Sequence, residues 1–152
     1  MSQIAFEEYV QAVNEATARV ERLEQTILAQ RAEWRWLPVA QALDFLAVAL
    51  TTLQAIAERR VERLVNPDLS QGLPAFLTLD PGLSSGYMMV QITAASLVAE
   101  SRSLAMPASI GSIPTDANQE DFVPMGMAAA LKTRRILGNA QKVVAAELLC
   151  GA

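Results

Sequence analysis

No histidine occurs anywhere in the 152 residues, and cysteine occurs once, as Cys150. The first absence excludes imidazole ligation of zinc or haem, and every Ser-His or Cys-His catalytic arrangement within the chain. The second excludes an internal disulfide framework and a multi-cysteine metal centre, so no metal site is expected. Charged residues make up only 18% of the chain, and the formal net charge of −4 supplies no general drive toward nucleic acid or anionic lipid. Neither is expected as a partner. The phosphate and dinucleotide loops G-x-x-x-x-G-K and G-x-G-x-x-G are missing. The opening MSQIAFEEYV has early acids and no apolar stretch of the signal-peptide kind, so a reducing cytoplasm is the expected location.

What the chain has is apolar surface in helix-forming residues. The apolar fraction is 52%, with alanine and leucine prominent, and the length suits one domain with a real core. Residues 2–31 carry a heptad seam: Phe6, Val13, Val20 and Ile27 recur every seven positions, with Tyr9, Ala16, Leu23 and Gln30 three positions after each. The seam suits either an intermolecular coiled coil or an amphipathic helix packed on its own domain. Pro38 disfavours helix at Leu37 and places a break there. A second helix is expected from Pro38 to Leu64, with Arg59, Arg60 and Arg63 toward its negative end and Asn66-Pro67 stopping it.

Residues 39–57 hold one charge, Asp44, in a stretch long enough to span a bilayer. Gln41, Thr51, Thr52 and Gln54 interrupt it, so it reads as a central helix of a bundle and no membrane is expected. A loop rich in proline and glycine follows, with Leu73, Phe76, Leu77 and Leu79 pinning it to a core. A third helix is predicted over 85–105, with Tyr87, Val90, Ala94, Leu97, Val98 and Leu104 facing inward. A fourth is predicted from Glu120–Pro124 to Leu149, with Asp116, Asn118 and Asp121 as natural caps. No strand pattern competes, so the expected fold is all-α: a long-helix bundle of four main helices.

The adjacent acids Glu7-Glu8 and Glu120-Asp121 would point apart on a helix, which argues against shared acid–base work from spacing alone. Trp34 and Trp36 flank Arg35 and read as a hydrophobic hinge more readily than as a stacking platform. Local composition therefore supports a helical bundle and leaves its chemistry open.

Longer phrases are more specific. Asn66-Pro67 is followed by Gly72-Leu73-Pro74, then Pro81-Gly82-Leu83-Ser84-Ser85-Gly86, then Ser112-Ile113-Pro114-Thr115 with Ala117-Asn118-Gln119-Glu120-Asp121. In this order and spacing, residues 38–152 resemble an internal fragment of the histidine branch of the aromatic amino-acid ammonia-lyase and aminomutase family. The resemblance implies part of a central bundle in a larger helical enzyme, a homo-oligomer, whose reaction eliminates ammonia from an L-amino acid to give a trans-unsaturated acid. It implies that Glu120 is a carboxylate facing the substrate, with Gln119 beside it and Met88 on the pocket wall. The family's cofactor, 4-methylidene-imidazol-5-one, arises from an internal Ala-Ser-Gly, and that tripeptide is absent from these 152 residues.

The family's Gly-Asn-Phe-His before Pro38 is replaced by Ala32-Glu33-Trp34-Arg35. The expected chain is therefore a truncated lyase-like protein, inactive alone, which a second lyase chain could complement. The alternatives are a non-catalytic, self-associating helical bundle or a relic chimeric reading frame. The last has its own basis: AFEEYVQAVNEATARVERLEQTI and Trp34-Arg35-Trp36, within residues 1–36, resemble a helical segment of DEDD-type insertion-sequence transposases. This implies a division into a heptad-patterned segment, 1–37, and a lyase-like one, 38–152.

Overall fold

The computed structural model describes Ala18, Arg19, Arg22 and residues 35–152. Three long helices dominate it: α1, Leu37–Val65; α2, Met88–Leu104; and α3, Gly126–Gly151. Short 3-10 turns at Ala75–Leu77 and Asp116–Asn118 punctuate the two connections. Among the described residues there is no strand, only two isolated bridges, Pro81 with Ser84 and Thr115 with Glu120. The all-helical expectation is met with three main helices. Of the first expected helix, residues 2–31 with its heptad seam, all but Ala18, Arg19 and Arg22 lie outside the described residues.

Pro38 occupies the first turn of α1, where an amide has no intrahelical acceptor to lose. At the other end the Asn66 amide donates to the Glu62 carbonyl at 3.0 Å, while the Asn66 side-chain oxygen accepts from the Asp68 amide at 3.0 Å. That turn carries the chain past Pro67 and away from the helix axis.

The buried face of α1 is lined by Ala40, Ala47, Ala57 and Val61, and that of α3 by Ala129, Ile136, Ala140 and Val143. These two helices make the main contact, and α2 packs against both. Alanine at so many buried positions lets helix backbones come close. The larger apolar burial lies toward one end, where Val61, Val65, Val98 and Val143 join Ala57, Ala94, Ala146 and Cys150. Fully burying a side chain such as Val61, Val143 or Ile136 contributes about 1.5–3 kcal/mol each.

A polar layer crosses this interior. Gln54 of α1 is wholly buried; its Nε2 donates to the Ile136 carbonyl at 3.3 Å and its Oε1 accepts from the Ser101 hydroxyl at 2.9 Å. Asn139 donates to Ser101 Oγ at 3.2 Å and to Glu100 Oε2 at 2.7 Å. All three helices thus contribute to one satisfied network, Gln54 from α1, Glu100 and Ser101 from α2, and Asn139 with the Ile136 carbonyl from α3, which fixes their mutual register. By length and composition α1 would also suffice to cross a membrane. Its interrupting residues Asp44 and Gln54 are instead engaged by the other helices.

Two helix starts fall later than predicted. The third predicted helix begins at Met88, not Ser85, because Gly86 takes a left-handed φ of +47° and the Tyr87 amide donates to the Phe76 carbonyl at 2.9 Å. The last begins at Gly126, so Pro124 precedes it and Glu120 lies in the loop. Asp116, Asn118 and Asp121 therefore do not cap it: the capping position is Met125, with no side-chain cap. Of the expected loop anchors, Phe76 and Leu77 pack on the core, whereas Leu79 is 93% exposed.

Much apolar surface faces outward. On α1, Val39, Phe45, Leu46, Val48, Leu53 and Ile56 are all exposed, Phe45 at 78%.

Candidate functional site

The connection from α2 to α3 carries the tract expected to hold chemistry. It turns sharply at Asp116, Ala117 and Asn118, which all have positive φ, between +50° and +67°. Asn and Asp enter this left-handed region at low cost through local polar contacts, whereas Ala117 has no such help. Two clasps hold the excursion. Nearer the tip, the Thr115 amide donates to the Glu120 carbonyl at 2.9 Å and the Glu120 amide donates back at 3.3 Å. The Thr115 hydroxyl adds a bond to Glu120 Oε2 at 2.6 Å. At the neck, the Val123 amide donates to the Ser112 hydroxyl at 2.9 Å.

Glu120 is thus fixed by its own backbone and by a hydroxyl donor to one carboxylate oxygen, on an exposed loop. Gln119 is exposed beside it, its amide donating to the Asp116 carbonyl at 3.0 Å. Met88, the first residue of α2, is half-buried on a different element. The structure joins Gln119 and Glu120 in one turn and carries Met88 on a separate element. Neither the cavity of about 620 Å³ beside Arg60 and Glu147 nor the one of about 420 Å³ between α2 and α3 is lined by any of the three.

The base of the loop shows a constellation that the spacing did not reveal. Asp44, 4% exposed on α1, accepts the Ala108 amide on Oδ1 at 3.0 Å and the Ser109 amide on Oδ2 at 2.8 Å. Lys132 of α3 places its ammonium 2.5 Å from Asp44 Oδ1 and also donates to the Met106 carbonyl. Burial alone would push the Asp44 carboxyl up. The Lys132 ammonium and the Ser109 and Ala108 amides outweigh it and hold the group well below the usual carboxylate range. The sequence signal was Asp44 itself, the one charge in residues 39–57.

A second buried acid, Glu58, is bound by Arg59 through both oxygens at 2.6 Å and by Gln91 at 3.0 Å. The Arg59 guanidinium lowers its pKa against the opposing effect of burial. Arg60 pairs with Glu147. Arg59 and Arg60 near the end of α1 are therefore structural partners as well as solvated groups.

The described residues thus form a helical bundle that presents a clasped, carboxylate-bearing loop between two long helices. The sequence profile of the family described as aromatic amino acid lyase matches residues 10–152, and the chain belongs to that family. It is similar to histidine ammonia-lyase from Koribacter versatilis (strain Ellin345), 61% identical over 115 residues, covering 76% of this chain and 22% of that protein. The histidine ammonia-lyase of Geobacillus kaustophilus is 58% identical over 113 residues, covering 74% and 22%.

Among solved structures, histidine ammonia-lyase from Trypanosoma cruzi superposes with a TM-score of 0.70 at 49% identity, covering 73% of this chain and 22% of that one. The tyrosine aminomutase of Streptomyces globisporus gives 0.72 at 43% identity, covering 75% and 22%. The chain thus spans 22% of the length of these relatives. The family match begins at residue 10 and takes in most of the stretch likened to transposases, and that likeness finds no support.

Proposed function

We propose that this chain supplies one wall of a histidine ammonia-lyase type of active site, with Glu120 facing the substrate, Gln119 beside it and Met88 on the pocket wall. The observation that carries this reading is the 61% identity to a histidine ammonia-lyase across the segment in which Thr115 clasps Glu120. A carboxylate so held would orient an imidazole or ammonium group by charge-assisted hydrogen bonding.

The Ala-Ser-Gly precursor of the family's electrophile does not occur in the 152 residues, so none of these residues forms that group. On this reading the chain does not turn over substrate alone and contributes its wall beside a second lyase chain. Given histidine, phenylalanine or tyrosine, the pure chain should yield no urocanate, cinnamate or coumarate absorbance above a Glu120→Ala control.

The positive test is a graft. Residues 38–152 replace the matching stretch of the Koribacter enzyme, and histidine deamination is measured with and without Glu120→Ala. Loss of a positioned catalytic or orienting group lowers kcat/KM by about 100-fold or more. An active graft indifferent to Glu120→Ala would sink the reading.

The exposed apolar residues of α1, Phe45 at 78% above all, favour a second reading as a self-associating helical bundle in the cytoplasm, with neither nucleic acid nor membrane as partner. Light scattering should then give a discrete oligomer that Phe45→Glu reduces in mass. A monomer of unchanged helicity would remove this reading.

A further inference from the structure

We propose that Asp44 is a positioning residue for Glu120, acting through the base of the loop and never touching the ligand. The inference takes Glu120 as the group to be positioned and so rests on the functional reading above. A continuous path of bonds leads from one to the other. Both Asp44 oxygens are occupied by amides of the loop base, Ala108 at 3.0 Å and Ser109 at 2.8 Å. The Ala108 carbonyl in turn accepts the Gly111 amide at 3.0 Å. Ser112, the next residue, closes the neck by accepting the Val123 amide at 2.9 Å. Inside the neck stands the Thr115–Glu120 clasp, with the carboxylate bonded at 2.6 Å.

Lys132 completes the device from the other side. It is on α3, the helix the loop runs into, and binds both Asp44 Oδ1 and the Met106 carbonyl. The entry of the loop is therefore tied to α1 and α3 together, while its exit is covalently continuous with α3. Such an arrangement resists sliding of the loop along the bundle, because displacement would strip two amides and an ammonium from a carboxylate that is 4% exposed. The side chains Asp44 and Lys132 are 5% and 12% exposed, so water does not readily substitute for either.

The test is residue-resolved amide hydrogen exchange on the full chain, with Asp44→Asn, Lys132→Gln and the conservative Lys132→Arg. Asp44→Asn keeps the shape and one acceptor; Lys132→Gln keeps a donor and loses the charge. The probes are the amides of Thr115, Gln119 and Val123, with Val98 and Val143 inside α2 and α3 as references. The expected result is exchange at the three loop amides faster by about tenfold or more in both charge-removing variants, with the references changed less than about twofold. Lys132→Arg should restore most of the protection.

Unchanged loop amides, or loop and reference amides accelerated by one common factor, would overturn the proposal. If Asp44→Asn does not fold, Lys132→Gln alone decides between the same two results. Exchange does not depend on what Glu120 binds. A graft indifferent to Glu120→Ala defeats the functional reading, whereas unmoved loop amides defeat this one.

Discussion

Asp44 on α1 and Lys132 on α3 meet with Oδ1 and Nζ 2.5 Å apart, in a region where both side chains are largely withdrawn from water. Removing one member leaves the other charge buried and unpaired. Lys132→Met is therefore expected to cost about 3–5 kcal/mol, while Asp44→Asn combined with Lys132→Met, which removes both charges and keeps an acceptor for the loop amides, costs less than the single change. Urea unfolding followed by circular dichroism on the two variants checks the order. A double variant less stable than the single one would mean that the pair is not coupled as described.

Acid should destabilise the fold through Asp44 and Glu58. Both carboxyls are held below their ordinary values of 3.8 and 4.5 in the folded chain. Depressed folded-state values give stability that is complete above the unfolded-state pKa and is lost as pH falls through the folded one. From these two groups the melting temperature should be level from neutrality down to about pH 5 and fall below about pH 4.5. Asp44→Asn should start lower and fall less steeply. Melting curves across that range, with a slope unchanged by Asp44→Asn, would contradict the assignment.

Glycines at two positions should respond in opposite directions to alanine. A Cβ on Gly86 would stand 2.3 Å from the Phe76 carbonyl oxygen, and its φ of +47° already disfavours a side chain. Gly86→Ala should lower stability by about 1–3 kcal/mol. A Cβ on Gly138, inside α3, meets nothing within 4 Å. Gly138→Ala should raise stability by about 0.5–1 kcal/mol through helix propensity. Thermal melts of the two variants beside the parent give both signs in one experiment.

The polar layer makes a sharper demand than its size suggests. Ser101→Ala removes the donor to Gln54 Oε1 and the acceptor of Asn139, leaving a wholly buried amide oxygen without its partner. The expected loss is about 1–3 kcal/mol, measured as a shift in the urea midpoint at unchanged slope. A change below that range would indicate that water replaces the hydroxyl.

The helices were legible because their signals are local. Pro38 announced the start of α1, Asn66-Pro67 its end, and the inward side of α2 followed from spacing: Ala94 and Val98 are buried, with Tyr87, Val90 and Leu97 packed beside them. The loop was legible as a motif but not as a shape. Asp116 and Asn118 look like caps because short polar side chains serve helix ends and left-handed turns alike. Only the tertiary clasps decide between the two, and Ala117 gives no warning of its positive φ. Asp44 stood out as a lone charge, but its partners Ala108, Ser109 and Lys132 are contributed by distant segments that no periodicity connects to it.

The turn at Asp116, Ala117 and Asn118 runs three successive L-residues through the backbone region that mirror-image amino acids prefer. Its handedness is imposed from outside, by the bonds between Thr115 and Glu120 and between Ser112 and Val123. A D-alanine introduced at position 117 by peptide ligation would find itself at ease where the natural residue is not. The place of the Glu120 carboxylate in space is thus a property of the two clasps, and the decapeptide SIPTDANQED, which ends before Val123, would keep only one of them.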